Sequence, residues 1–599
     1  MRAEESGTAA RSSSMPSRAE YGSDYIVEML RALGIEYAAF NPGSSFRGIH
    51  DSLVNFPGSG GPQIIECLHE EISVAIAHGY AKAAGRPMAA IAHNVVGLQH
   101  ATMAIFNAWV DRVPMLVLGG TGPVDAMRRR PWIDWIHTAH VQGNLVRDFV
   151  KWDDQPTSLT GAAESLLRAY RVTTTEPTAP VYVCFDGDLQ EMRVDDHLAI
   201  PNAALFGTPS RLAPDPATLE RAADLLVGSL RPAIVADFTG RRPESVAALV
   251  TLAEALGAPV IDRGGRFNFP NAHPLDASGA AAEALAEADV VLLLDVQDPF
   301  GALATPERIA HGEGFVQPAG CKIISMSVND LLVRSWTGDY QRSVPTDLAI
   351  SADTSIALPL LVDLIRERLV HNAVARDGFS TRGASWADRN RARRTGWRQQ
   401  AAASADRSPL SLAAVAATVW DLIRDQDWCL ANGTLNGWAR RLWSWREPHQ
   451  YLGTSGGAGL GYGMGASIGA SLAARDTNRL TVNLQADGDF LFTPSALWTA
   501  AHHHVPMLAV LHNNRSLYNS EEHAMNVARY RERPPDNAGV GTRITDPNVN
   551  FAKLTESFEL HGEGPVTQPE ELRPALERAL RVIKDRGEMA LVDVVCEAR

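Results

Sequence analysis

Between Leu480 and Tyr518 the spacing of apolar positions changes twice. In LTVNLQADGDF, Leu480, Val482 and Leu484 alternate with polar residues as on a strand, and the alternation stops at Asp487-Gly488, a turn signal. Thr493-Pro494 then opens a helix, because a threonine hydroxyl can cap free N–H groups and proline's fixed φ suits the first helical position. Ala496, Leu497, Ala500 and Ala501 mark one face of that helix. Met507 to Leu511 is a continuous apolar run of the buried-strand kind, ending at His512-Asn513-Asn514. Two parallel neighbouring strands joined by such a helix form a right-handed crossover, with both carboxyl ends at one edge of the sheet. Asp487 and Asn514 are thereby expected to face one point.

The same alternation of strand and helix patterns fills most of the chain. Tyr25 to Leu33 reads as a helix, Glu36 to Phe40, Ile64 to Cys67 and Met88 to Ala92 as strands, and Gln99 to Trp109 as a second helix. Val181 to Phe185 closes this set. A Pro-containing connection, IPNAALFGTPSRLAPDP, introduces further strands at Ala233 to Ala236, Val260 to Ile261, Val290 to Leu294 and Ile323 to Met326. Residues from about 376 to 406 are polar and Arg-rich, a linker with a helix in it, and the last set ends in the strand of MALVDVVCEAR. The expectation is three α/β domains, at 21–190, 205–370 and 408–599, with a linker at 371–407 and a disordered tail at 1–20.

Length and composition agree with this division. A chain of 599 residues exceeds one hydrophobic core, and 45% hydrophobic with 21% charged residues is the make-up of a soluble globular protein. A formal net charge of -14 argues against nonspecific binding to nucleic acid or to an anionic membrane. No apolar run approaches a membrane span and the N-terminal stretch has no apolar signal-peptide centre, so the cytoplasm is the expected location. Five scattered cysteines fit a reducing compartment and make no CxxC metal site.

Candidate chemistry then falls at strand ends. Asp487, the Asn514 amide carbonyl and a nearby main-chain carbonyl, that of Ser516, are hard oxygen ligands suited to Mg²⁺, an ion that binds phosphate oxygens and so points to a diphosphate cofactor. Glu70 and Glu71 stand at a helix start, where the dipole favours carboxylates without any further role. His93 stands at the end of a strand, as a site histidine or one that satisfies local hydrogen bonds. Ser44, in the turn Asn41-Pro42-Gly43-Ser44-Ser45, reads equally as a capping serine. Asn432, Thr434 and Leu435 follow a strand end, and their amides and hydroxyl suit a diphosphate. The glycines of GTSGGAGLGYGMGASIGASLA permit close backbone approach and tight helix packing. The basic, aromatic RRRPWIDWIH (128–137) could receive an anionic part of a substrate, but reads rather as a solvated loop packed by Trp132 and Trp135. Tyr518 and Glu522 lie beyond the Asn514 turn, Glu522 as a candidate acid or a helix-start carboxylate.

Asp487-Gly488, twenty-four residues and Asn513-Asn514 together resemble the diphosphate and magnesium signature of thiamine-diphosphate enzymes, with Ala486 in place of the first glycine of the family's Gly-Asp-Gly. His69-Glu70 followed by Gly79-Tyr80-Ala81 and Gly85-Arg86-Pro87 resembles the segment whose glutamate activates that cofactor, and counting back from Gly79 selects Glu70. The resemblance covers nearly everything from Tyr21 onward. It implies three doubly wound parallel-sheet domains, with thiamine diphosphate held by Asn432, Thr434, Leu435, Asp487, Gly488, Asp489, Asn514 and Ser516, Mg²⁺ on Asp487, Asn514 and Ser516, and Leu460 under the bent cofactor. Glu70 would bond the aminopyrimidine nitrogen, and the active sites would lie between subunits of a homodimer or homotetramer. FAD or ADP in the central domain is left open, and the resemblance would bring His273, in Phe269-Pro270-Asn271-Ala272-His273-Pro274, toward the site.

Ser44 and His93 are similar in position to the substrate serine and histidine of benzoylformate decarboxylases, with Tyr518 and Glu522 in the region where the family varies its substrate chemistry. The implied function is a thiamine-diphosphate and Mg²⁺-dependent carbon–carbon lyase, decarboxylase or carboligase. It would act on a 2-oxo acid or a 2-hydroxyacyl compound, CoA thioesters included, through a C2 carbanion and an enamine-type intermediate. Arg529, Arg531 and Arg533 suit CoA phosphates. The alternatives are an acetolactate synthase that condenses 2-oxo acids and a protein that binds the cofactor without catalysis.

Overall fold

The computed structural model describes residues 14–56, 61–194, 198–304, 314–332 and 341–598. Contacts divide the chain into two compact units. One comprises residues up to Ser210 together with Gly456–Ala473, the other Arg211–Ser455 together with Ala474–Arg599.

In the first unit β1 (Ser14–Pro16) pairs antiparallel with β8 (Ala199–Pro201). Between them come β2 (Tyr37–Phe40), β3 (Gln63–Glu66), β4 (Ala89–Ala92), β5 (Met115–Thr121), β6 (Asp153–Asp154) and β7 (Pro180–Asp186). These six form a parallel sheet in the order β3-β2-β4-β5-β7-β6. Helices cover both faces, so β2, β4 and β5 are buried throughout, as their unbroken apolar runs require. The expected tail at 1–20 is shorter than its composition suggests. Ser17 donates its hydroxyl to Glu28 at 2.5 Å, and the N–H groups of Glu20 and Tyr21 reach Asp24, so backbone pairing and the acids of the helix Gly22–Ala32 hold residues 14–20 in place. Residues 1–13 of that tail lie outside the described residues.

The helix Glu70–Ala84 starts at His69, whose Nδ1 accepts the Glu71 N–H at 3.1 Å, and stops at Gly85 in the left-handed conformation (φ 68°). It packs on the helix Tyr462–Ala473 with backbones in contact. A methyl group on Gly79 would sit 1.9 Å from the Ala466 carbonyl oxygen, and one on Gly469 would sit 2.0 Å from that of Ile76. Beside this contact the Lys82 ammonium lies 2.5 Å from Asp111 and 3.2 Å from the Tyr462 hydroxyl, and His78 Nε2 lies 2.7 Å from the same carboxylate.

The second unit holds two five-stranded parallel sheets. The central one contains β9 (Pro232–Ala236), β10 (Val260–Asp262), β11 (Val290–Leu294), β12 (Lys322–Ser327) and β13 (Leu348–Ser351), in the order β10-β9-β11-β12-β13. The C-terminal one contains β14 (Trp428–Gly433), β15 (Leu480–Ala486), β16 (Leu508–Asn513), β17 (His561–Val566) and β18 (Ala590–Val595), in the order β14-β15-β16-β18-β17. The Arg-rich stretch expected as linker is occupied by a 31-residue helix, Ala373–Ala403. Its arginines have assigned tasks: Arg394 donates to the Asn271 carbonyl at 3.0 Å, and Arg389 pairs with Glu283 and Glu287. The helix predicted to open at Thr493-Pro494 is capped two residues later, at Ser495, and runs Ala496–His502.

Because Gly79 and Gly469 face backbone atoms that cannot yield, Gly79→Ala and Gly469→Ala are each expected to destabilise the protein by ~1–3 kcal/mol. Gly396 is exposed in mid-helix with open space around it, so Gly396→Ala should instead stabilise by ~0.5–1 kcal/mol. Thermal unfolding of the three variants checks the pattern: Tm should fall for the first two and not for the third.

Candidate active site

Strands β3, β2 and β4 are neighbours, so the residues that follow their carboxyl ends gather at one edge of the first sheet. Those residues are Glu70, the turn Asn41 to Ser45, and His93. Glu70 is 3% exposed. Its Oε1 accepts a hydrogen bond from Asn41 Nδ2 at 3.1 Å; its Oε2 has no hydrogen-bond partner and lies 3.4 Å from Nδ1 of the exposed His100. Gly97 lets both groups approach, since a methyl group there would sit 2.7 Å from Glu70 Oε1 and 2.6 Å from His93 Cβ.

Of the two adjacent serines, the structure brings Ser45 to His93. Ser45 Oγ lies 2.8 Å from His93 Nδ1 and accepts the Asn94 N–H at 3.0 Å. A 3-10 turn, Ser44–Phe46, points the Ser45 side chain inward and leaves Ser44 exposed, 3.4 Å from an Arg130 guanidinium nitrogen. Burial holds the His93 imidazole below its ordinary pKa, helped by the neighbouring charges of His137 and Arg130 and opposed by Glu70. Asn94 is fully buried and neither polar atom of its side chain has a hydrogen-bond partner among the described residues, so a bound group or water could complete it. The segment 128–137 departs from expectation. Trp132 and Trp135 are 70% and 77% exposed and pack no loop, because Arg130 turns to Asp134 at 2.8 Å and its guanidinium covers only one ring, that of Trp132.

In the C-terminal sheet β15 and β16 are parallel neighbours in the register Ala486 to His512, which sets Asp487 and Asn514 at adjacent strand ends as the pattern predicted. Asp487 is 1% exposed and neither carboxylate oxygen has a hydrogen-bond partner. Burial pushes its pKa up to about 6, against the pull of the Gly488, Arg515 and Asn514 amides. Asn513 is tied into the sheet through Asp593 at 2.9 Å, whereas Asn514 uses its Oδ1 only to order the turn, accepting the Ser516 N–H at 3.0 Å. The Ser516 hydroxyl donates to Glu521 at 2.5 Å. Glu521 is thus an acid engaged at this turn, and it is buried in the helix Tyr518–Tyr530. Tyr518 and Glu522 stand on the same helix, half-buried.

Other expected groups have local duties. Asn432 bonds Asn483 and the Leu484 carbonyl, and Thr434 directs both its N–H and its hydroxyl to that same carbonyl at 3.0 Å. Leu435 is buried, and Asp489 accepts from Gln485 at 2.6 Å. His273 lies 3.3 Å from Glu254 and accepts the Leu275 N–H, bracing the central domain. Leu460, in the first unit, is partly exposed on a glycine turn anchored by the Gly459 N–H to Asn107 Oδ1 at 3.1 Å.

Family models match at three places: the N-terminal thiamine pyrophosphate binding domain over residues 21–145, the central domain of the same enzymes over 219–325, and their C-terminal thiamine pyrophosphate binding domain over 431–594. The chain belongs to the thiamine pyrophosphate enzyme family. It is 26% identical to benzoylformate decarboxylase of Pseudomonas aeruginosa, over 92% of this chain and 95% of that one. To acetolactate synthase 3 of Brassica napus it is 24% identical, over 97% and 84%. The crystal structure of benzoylformate decarboxylase from Polynucleobacter necessarius shares the fold with a TM-score of 0.74 at 18% identity, covering 97% of this chain and 99% of that one.

The residues present fit thiamine pyrophosphate and the divalent cation that the sequence resemblance implies. A buried carboxylate with two unbonded oxygens beside an amide oxygen is a partial shell for one hard divalent cation. Among the described residues no cluster of three His, Cys, Asp or Glu competes for a softer metal. The unbonded Glu70 Oε2 is an acceptor suited to a heterocyclic N–H. The sequence singled out none of Asn41, Ser45, Asn94 and His100; the strand-end argument that selected His93 also applies to Asn41.

A carboxyl group whose folded pKa is raised favours the folded state only while protonated. Stability of the metal-free protein should therefore fall as pH rises from about 4 through about 6, where ionising Asp487 costs on the order of 2–3 kcal/mol. Mg²⁺ should raise Tm more at about pH 8 than at about pH 5, and the difference should vanish in Asp487→Asn. Thermal melts with and without Mg²⁺ at both pH values check this.

Proposed function

We propose that the protein is a thiamine-diphosphate and Mg²⁺-dependent lyase that decarboxylates a 2-oxo acid. The observation that carries this reading is the pairing of Glu70 with a Ser45-held His93 on neighbouring strand ends, within the influence of Arg130 and His137. Bound thiamine diphosphate supplies an electron sink for the pair left by carbon–carbon cleavage. Glu70 would hold the aminopyrimidine and exchange a proton at Oε2, with Leu460 beneath the cofactor's bend. Asp487, Asn514 and the Ser516 carbonyl would hold Mg²⁺ and, through it, the diphosphate. His93 would meet the substrate next to its carboxylate.

Condensation of 2-oxo acids, as in acetolactate synthases, is the second reading, supported by relatives of that name aligned over nearly the whole chain. A 2-hydroxyacyl-CoA substrate has weaker support, because Arg529, Arg531 and Arg533 stand exposed with no built cradle. FAD or ADP in the central domain is likewise disfavoured. Buried Asp295, at the end of β11, takes the Thr354 hydroxyl at 2.5 Å and lies 3.3 Å from Arg241. These side chains stand at the reversal of strand order between β9 and β11, where such sheets ordinarily admit a nucleotide.

An exposed apolar stretch, Val124, Met127, Trp132, Trp135 and Ile136, supports assembly into a homodimer or homotetramer. No helix among the described residues is long and apolar enough to cross a membrane, which accords with a cytoplasmic enzyme.

With Mg²⁺ and thiamine diphosphate, the wild type is expected to release an aldehyde and CO₂ from at least one of a panel of aliphatic and aromatic 2-oxo acids. Glu70→Gln should turn over about 10²–10⁴-fold more slowly. Acetolactate from pyruvate as the main product would select the synthase reading, and equal turnover by both proteins would remove Glu70 from the mechanism. Separately, Trp132→Asp combined with Trp135→Asp should shift the protein toward monomer in light-scattering chromatography.

A further inference from the structure

The Ser45 hydroxyl has one proton and two lone pairs. The Asn94 N–H, a group that can only donate, uses one lone pair at 3.0 Å. The other partner within hydrogen-bonding distance among the described residues is His93 Nδ1, at 2.8 Å. Ser45 is 4% exposed, so its proton has no ready outlet to water, and a buried hydroxyl proton left unbonded is costly. The proton therefore goes to Nδ1, which accepts it only when that nitrogen carries none of its own.

We propose that Ser45 is a positioning residue that fixes neutral His93 as the Nε2–H tautomer, so that the ring offers the substrate a hydrogen-bond donor rather than a lone pair. The packing supports a single ring orientation. A methyl group on Gly43 would lie 2.6 Å from His93 Cγ and 2.7 Å from Nδ1, so the turn presses its bare backbone against the ring and a flip of the imidazole would break the Ser45 contact. Nε2 has no hydrogen-bond partner among the described residues, and the nearest ring, His137, meets His93 edge-on at 5.6 Å between centroids.

The consequence concerns substrate class. A neutral imidazole with its proton at Nε2 binds an oxygen acceptor, the carboxylate or carbonyl of a 2-oxo acid, and serves as an acid toward it. It is unsuited to receive a substrate hydroxyl proton at that nitrogen. The structure thus selects substrates that enter with an oxygen acceptor facing His93 over those that enter with a hydroxyl, such as 2-hydroxyacyl compounds. This consequence rests on the 2-oxo acid reading; the place of the proton does not.

Neutron diffraction from crystals of the full chain exchanged into D₂O tests the assignment directly. Deuterium on His93 Nε2, with the Ser45 O–D directed at a bare Nδ1, is the expected map; deuterium on Nδ1 overturns the proposal. In the kinetic arm, Ser45→Ala should lower kcat on a 2-oxo acid by about 10–10³-fold with a smaller change in KM, because the wrong tautomer leaves binding largely intact. Ser45→Thr, which keeps the hydroxyl, should restore most of the rate, whereas a folded Ser45→Ala as fast as wild type overturns the positioning role. Should the wild type turn over no 2-oxo acid while the map shows Nε2–D, the substrate reading fails and the tautomer assignment stands.

Discussion

The helix that begins at Glu70 meets the helix Tyr462–Ala473 with no side chain between their backbones, and the first unit depends on that approach. Gly79 and Gly469 make it possible by leaving out the atoms that would collide with carbonyl oxygens. Backbone contact alone fixes a distance but not a register. The register is set by charge: the ammonium of Lys82, the imidazole of His78 and the Tyr462 hydroxyl surround buried Asp111. Sliding the helix that begins at Glu70 by one turn would part Lys82 from Asp111 and strand a charge in the interior, which costs several kcal/mol per ion. Glu70, at the first turn, inherits a fixed position from contacts made two and three turns further along.

Much of this is legible in the sequence, and what is not has a physical cause. The positions of Asp487 and Asn514 follow from two apolar runs and a crossover, because parallel strands align their carboxyl ends whatever side chains they carry. Glu70 was separable from Glu71 only through the resemblance, since both sit where a helix dipole welcomes a carboxylate. The choice between Ser44 and Ser45 depends on the phase of a single 3-10 turn, which local composition does not encode. Asn432 and Thr434 are polar residues at a strand end like those of the site, yet a shift of register between β14 and β15 around Leu430 and Asn432 calls them into the sheet. The Arg-rich 371–407 stretch has the composition of a linker, but its arginines find carbonyls and acids of the central domain, contacts distant in sequence.

Glycine recurs around His93 for a reason unrelated to flexibility. Gly43 on one side and Gly97 on the other both lie where a methyl group would meet the histidine within 2.6 Å. The Gly43 turn presses on the ring, Gly97 on its Cβ, and a hydroxyl holds Nδ1, so the remaining nitrogen has one direction to face. A side chain positioned by hydrogen bonds alone can trade partners, while one enclosed by backbone cannot without moving the strand ends themselves.

The two carboxyl groups singled out by pattern share a further property. Glu70 keeps one oxygen without a hydrogen bond and Asp487 keeps two, although both are almost wholly buried. Unsatisfied buried acceptors of this kind lower stability by ~1–3 kcal/mol each and are retained where a partner completes them. Ligands that satisfy them act on the folded state alone and raise its stability by mass action. The same burial that weakens the free protein therefore lets a ligand bound at either group add to its stability.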